Sequence, residues 1–196
     1  MALLRLNGEG RLCLRSATGA EGSTETHLLK DVLLLIDVSG SMSGEKIMQA
    51  KQGAIGFARS AYKRGCATAL GVFGSEAAIV CDPTLDSVAF ENKVSELTIN
   101  GSTNLAAGLE LAGKFTHLNA VVVVTDGQPD SQSDALHAAK SLKQKGVDIL
   151  CIGTDDADTS FLAKLATRSD LAIHVEAQDL RASIEQASTL LLGSGQ

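Results

Sequence analysis

Tryptophan is absent, tyrosine occurs once, and aromatic residues make up 3% of the 196 positions. A packed interior must therefore be built from Leu, Ile, Val and Ala. The same scarcity argues against the stacking platforms that hold single-stranded nucleic acid, because those need aromatic faces. Positive charge is also in deficit, with 17 Lys and Arg against 23 Asp and Glu, a net charge of −6. Nucleic-acid binders carry a basic stripe. The nearest feature here is Lys140, Lys143 and Lys145, whose spacing suits the solvated face of one helix. The four cysteines (Cys13, Cys66, Cys81 and Cys151) form no CxxC pair and have no histidine at metal-ligand spacing. Cys81 and Cys151 lie in apolar runs and read as small buried hydrophobes. No apolar run approaches the roughly 20 residues of a membrane helix, and no signal-peptide pattern opens the chain. A soluble protein of a reducing, cytoplasmic compartment is expected, with neither nucleic acid nor a membrane span.

What is present is aliphatic: hydrophobic residues reach 44%. A chain of this length buries most of its apolar surface without disulfide or metal staples. Residues 2–6 and 11–15 alternate apolar and polar positions around Asn7-Gly8-Glu9-Gly10 and predict a β-hairpin. Residues 16–30 read as a loop. Residues 32–36 (VLLLI) and 120–124 (AVVVV) are apolar without alternation, the signature of strands buried on both faces. Further strands are expected at 67–73, 77–81, 147–152 and 171–175. Helices are expected over 44–64, 86–97, 104–117, 133–145, 158–169 and 179–192, the first with Ser43 as its N-cap. Only Gly74, Ser75 and Glu76 join the strands at 67–73 and 77–81. So short a link predicts an antiparallel pair, because a parallel crossover needs a dozen residues or more.

This order predicts an α/β fold: a doubly wound, mostly parallel sheet with one antiparallel edge strand and helices on both faces. The hairpin and loop would form an N-terminal piece over 1–30, ahead of one domain over 31–196. Ligands of such sheets bind outside the carboxyl ends of the strands. That rule selects the loops 37–43, 101–104 and 125–131.

Asp37 follows one apolar strand and Asp126 another. A carboxylate at the mouth of an apolar sheet is costly to desolvate unless paired or bound to a cation. No Lys or Arg occurs in either loop before Lys46, and a hard divalent cation, which takes oxygen ligands, is the alternative. Ser39 and Ser41 offer hydroxyls at alternate positions, and Thr103 opens the helix at 104. Taken alone, the two serines suit a turn and Thr103 a helix cap. The two strand-end aspartates shift the joint reading towards a cation site.

Asp37-Val38-Ser39-Gly40-Ser41, then Thr103, then Asp126-Gly127 resembles the metal-ion-dependent adhesion site of von Willebrand factor type A domains. Over roughly 31–192 the resemblance implies a Rossmann-like fold. It also implies that Asp37, Ser39, Ser41, Thr103 and Asp126 bind a divalent cation: Ser39, Ser41 and Thr103 as neutral oxygens, the aspartates directly or through water. Mg²⁺ suits such a site best, with Mn²⁺ or Ca²⁺ as substitutes. The cation's open position would take a carboxylate from a protein partner. No paired-cysteine frame brackets the domain, and the N-terminal hairpin is an addition to the bare fold. The chain is thus more similar to intracellular bacterial members, which often work beside AAA+ ATPases, than to cell-surface adhesion domains.

Catalysis finds less support. None of His27, His117, His137 and His174 is tied to Ser39 by a recognised motif. Asp37 stands where the first glycine of a G-x-S-x-G elbow belongs. Aspartyl-nucleophile phosphatases carry a second aspartate where this chain has Ser39, and no P-loop occurs. The expectation is a binding module rather than an enzyme. A metal-dependent hydrolase, or a structural domain with a vestigial site, is the alternative. The acidic run Asp155-Asp156-Ala157-Asp158 reads as a solvated loop capping the helix that follows.

Overall fold

The computed structural model describes residues 3–6, 12–15 and 31–192. β1 (Leu3–Leu6) and β2 (Leu12–Arg15) pair antiparallel with Leu3 opposite Arg15, which is the expected hairpin. The expected loop at 16–30 lies outside the described residues. Eleven of the remaining elements matter for the site. They are β3 (Asp31–Asp37), α1 (Glu45–Lys63), β4 (Thr68–Phe73), β5 (Ala77–Thr84), α2 (Ser87–Ser95), α3 (Leu105–Ala112), β6 (Leu118–Thr125), α4 (Gln132–Gln144), β7 (Asp148–Thr154), α5 (Thr159–Leu165) and β8 (Ala172–Val175). The last helix, α6, covers Leu180–Leu192.

Strands β3 to β8 form one six-stranded sheet in the order β5-β4-β3-β6-β7-β8. All neighbours are parallel except β4 and β5, so the single antiparallel strand sits at an edge as expected. The central pair explains why those strands read as uniformly apolar. Val32 to Ile36 of β3 and Val121 to Val124 of β6 have no exposed surface, because helices cover both faces. α1 packs against α2 and α6, while α3 packs against α4, and α4 against α5. Gly53 of α1 lies so close to α6 that a methyl group there would stand 2.8 Å from Ile184 Cβ and 3.0 Å from the Arg181 carbonyl.

Several boundaries differ from expectation. α3 ends at Ala112, leaving Phe115 and His117 beyond it, and α5 stops at Leu165 instead of running to 169. β5 continues through Pro83 to Thr84. An edge strand tolerates proline because one side of it makes no ladder. The expected Ser43 cap of α1 is a correction: Gly44 holds that position with no side-chain cap bond. The chain enters α1 at φ +80, a left-handed turn that glycine adopts without penalty and serine does not.

From β3 the chain crosses to β4 on one side of the sheet, and later fills the other side with β6, β7 and β8. The strand order therefore reverses between β3 and β6. A crevice outside the carboxyl ends of these two strands is where ligands of open parallel sheets bind. Ile36 is in register with Val124, so Asp37 and Thr125-Asp126 emerge side by side at that point.

Candidate functional site

Asp37 is the last residue of β3 and has no exposed surface. Its Oδ1 accepts the Ser39 backbone N–H at 2.8 Å, and its Oδ2 accepts the Thr125 hydroxyl at 2.7 Å. These two bonds fix the carboxylate between the two strand ends. Burial is the main influence on its pKa and pushes it above the usual carboxylate range. The bonds from Thr125 and Ser39 pull the other way without cancelling burial, and the nearby Asp126 charge adds to the rise.

After Asp37 the chain turns through Ser39, which is buried, into a short 3-10 turn at Gly40–Met42. Met42 anchors that turn in the core. The hydroxyls of Ser39 and Ser41 are 3.1 Å apart, and the Ser41 hydroxyl donates to Asp126 Oδ1 at 2.8 Å. Asp37, Ser39, Ser41 and Asp126 thus converge at one point above the β3–β6 junction. Asp126 is also buried.

Thr103 is held in the neighbouring loop by its backbone. Its N–H donates to Asp130 Oδ1 at 3.2 Å, and its carbonyl accepts the Asp130 N–H at 3.0 Å. The Ser102 hydroxyl donates to Asp130 Oδ2 at 2.9 Å. Asp130 therefore clamps the 101–104 loop to the 125–131 loop, a role the sequence did not disclose. Further backbone bonds fasten the 101–104 loop to its neighbours. Gly40 N–H donates to the Gly101 carbonyl at 3.1 Å, and Asn104 N–H to the Gly74 carbonyl at 2.8 Å. Asn104 then caps α3 by accepting the Ala107 N–H. The three loops chosen by the strand-end rule are thus bonded into one surface. Four of the five candidate ligands are joined in one hydrogen-bond chain, Asp37 to Ser39 to Ser41 to Asp126, with the Thr125 hydroxyl bonded to its Asp37 end. Thr103 reaches that surface by main-chain bonds.

A cationic side chain already sits in this surface. The Lys46 ammonium, from the first turn of α1, donates to Asp126 Oδ2 and lies 2.9 Å from Asp155 Oδ2. Burial alone would lower the Lys46 pKa, but the bonds and charges of Asp126 and Asp155 outweigh it and raise it. Asp155 is lowered, first by the Lys46 hydrogen bond. The acidic loop after β7 thus divides its roles. Asp158 caps α5 as expected, accepting the Ser160 and Phe161 N–H groups at 3.0 Å each. Asp155 instead faces the site. No local signal in the sequence tied Lys46 to Asp126, 80 positions away.

The donor set fits a hard divalent cation. Every candidate donor side chain is a hydroxyl or carboxylate, the oxygen chemistry such an ion takes. Among the described residues, no group of three or more His, Cys, Asp or Glu gathers at metal-holding distance. Neutral hydroxyls make up the rest of the set, so a cation here would keep much of its charge for an outside ligand.

Residues 31–188 match the von Willebrand factor type A domain family, and the chain belongs to it. The fold is similar to the vWF domain of the type V pili tip protein Mfa5 from Porphyromonas gingivalis, with TM-score 0.76, 15% identity, and coverage of 86% of this chain and 97% of that one. It is similar to the manganese-loaded TRAP protein of Plasmodium vivax, with TM-score 0.67, 22% identity, and coverage of 80% and 72%. It is also similar to proximal thread matrix protein 1 of the mussel byssus with a zinc-occupied metal site motif, with TM-score 0.65 and 18% identity. The match covers 82% of this chain and 46% of that one. At these identities the likeness carries the fold alone. Among the described residues, no helix is long and apolar enough to cross a membrane.

Proposed function

We propose that this domain is a divalent-cation-dependent protein-interaction module. Its candidate ligands are Asp37, Ser39, Ser41, Thr103 and Asp126, and its partner supplies a carboxylate. The observation that carries the reading is the convergence of Asp37, Ser39, Ser41 and Asp126, through bonds of 2.7–3.1 Å, at the point where the strand order reverses. When bound, the cation supplies an electrophilic position for an acidic side chain. The chain's own residues fix the geometry: Thr125 and the Ser39 N–H orient Asp37, and Asp130 holds the Thr103 loop against the Asp126 loop. Mg²⁺ is the preferred ion because it favours octahedral oxygen sites and retains waters. Manganese and zinc appear in two of the similar structures.

The reading is of a binder rather than an enzyme, and the family match over residues 31–188 supports it. The partner class proposed is a component of an AAA+ ATPase system. A cytoplasmic setting belongs to the same proposal, and the thiol state of Cys81 and Cys151 suits it.

Calorimetric titration with Mg²⁺ and Mn²⁺, wild type against Asp37→Ala, tests the site. Circular dichroism confirms that both proteins are folded. Saturable heat in the wild type, absent from the variant, is expected. No wild-type heat above that of the variant refutes the metal site.

A further inference from the structure

We infer that Lys46 is a built-in competitor of the divalent cation: its ammonium pairs with Asp126 and must move to Asp155 alone before a metal can be held. The inference rests on the cation site proposed above and concerns how that site is filled.

The placement of Lys46 is not what helix formation favours. It is the second residue of α1, where the helix dipole favours acidic side chains over basic ones. The long side chain nevertheless turns into the site, with 21% of its surface exposed, and reaches a carboxylate that is fully buried. Asp126 spends one oxygen on the Ser41 hydroxyl and the other on Lys46. A metal drawing on Asp126 would have to share that carboxylate with an ammonium of like charge, and the two cations oppose each other there.

Asp155 supplies the alternative berth. It is the only non-glycine residue with positive φ among the described residues, at +52. Its side chain meets Lys46 at 2.9 Å, while its carbonyl is 3.2 Å from the His174 ring nitrogen. Asp155 is more exposed than Asp126, at 34% of its side-chain surface. Lys46 can therefore release the buried carboxylate and still keep an ion pair nearer to water. Removing Lys46 frees Asp126 for the metal. Removing Asp155 takes away the berth and strengthens the grip of Lys46 on Asp126.

The test is calorimetric titration of the full chain with Mn²⁺ in the wild type, Lys46→Met, Asp155→Asn and the double variant, with melting temperatures in the metal-free state as a second readout. Lys46→Met is expected to bind Mn²⁺ roughly 10- to 100-fold more tightly, the worth of one hydrogen bond to a charged group. Asp155→Asn alone should weaken binding. In the Lys46→Met background the Asp155→Asn effect should vanish, because the berth has no occupant. Simple loss of one negative charge would instead add in full, and that additivity overturns the inference. Equal or weaker binding by Lys46→Met also overturns it, while leaving the metal site intact if the wild type binds. Absence of Mn²⁺ binding in every variant, Lys46→Met included, removes the site and the inference together. Metal-free Lys46→Met should melt lower than the wild type, since Asp126 loses its counter-charge. An unchanged or higher melting temperature counts against the pairing.

Discussion

Replacing Asp37 with Asn separates the functional from the structural role of this buried group. The carboxylate accepts two hydrogen bonds, from Ser39 N–H at 2.8 Å and the Thr125 hydroxyl at 2.7 Å. Asn keeps Oδ1 for Ser39. Its Nδ2 faces Thr125 Oγ1, which can turn to accept. A bond to a charged group contributes about 1.5–3 kcal/mol and a neutral one about 0.5–1.5 kcal/mol, so the two bonds together lose roughly 2 kcal/mol. Against this, the amide avoids the burial penalty that raises the Asp37 pKa and outweighs those same bonds. The two effects oppose, and metal-free Asp37→Asn should lie within about 1 kcal/mol of the wild type at neutral pH. Asp37→Ala differs, because it leaves the Ser39 N–H and the Thr125 hydroxyl without their acceptor, at about 1–3 kcal/mol each. Metal binding reports the other role. At a metal concentration of about 100 times Kd, the wild type gains roughly 2.7 kcal/mol. For a domain of this size that is a rise of roughly 5–10 °C in Tm. Asp37→Asn should show no such rise. Thermal melts with and without Mg²⁺ provide the assay. Loss of more than about 3 kcal/mol by metal-free Asp37→Asn, or a retained Mg²⁺ shift, would refute the reasoning.

Three other outcomes are expected. A methyl group on Gly74 would stand 2.0 Å from the Asn100 carbonyl oxygen, so Gly74→Ala must push the 100–104 loop away. Metal affinity should fall at least about tenfold in calorimetry, for a stability loss of about 1–3 kcal/mol. Gly53→Ala gains about 1 kcal/mol of helix propensity but forces a methyl to 2.8 Å from Ile184 Cβ. Overpacking against a neighbouring helix costs about 1–3 kcal/mol and wins, so the urea midpoint should drop. The Asp158 pKa is lowered, chiefly by the Phe161 N–H it caps. Its stabilisation is therefore complete above the unfolded carboxylate pKa of about 3.9 and lost as pH falls through the lower native value. Wild type and Asp158→Ala should differ in Tm at pH 6 and converge in strong acid.

The buried strands were the most legible part of the sequence. β3 and β6 are covered on both faces, so burial wrote them as unbroken aliphatic runs, and the Asp at the end of each run marked the sheet mouth. Ser39 and Ser41 stood out by following the end of β3, and their hydroxyls meet across a 3-10 turn rather than along an extended segment. Element ends were less so. Leu105, Leu109, Ala112 and Phe115 keep helical spacing, yet the helix closes at Ala112 and Phe115 packs against the core from beyond it. Ser43 looked like a cap because composition ranks serine above glycine, but the entry to α1 needs a left-handed residue. Lys46 and Asp130 were the hardest to read. Each acts across loops far apart in the chain, Lys46 on Asp126 at 80 positions and Asp130 on Thr103 at 27. No periodicity records a pairing of that range.

The close approach of α1 and α6 at Gly53 bears on how the domain is made. Arg181 of the last helix bonds to Gln52 of the first across 129 positions of chain. During synthesis the face of α1 at Gly53 and Gly56, which lies against Ile184 and Glu185, has no such cover until α6 leaves the ribosome. Contacts of this span must await closure of a long loop and slow the final step of folding. An apolar face left open for that interval is a natural target for chaperones. A chain stalled or cut before residue 180 would present the same face permanently, as a substrate for proteolysis.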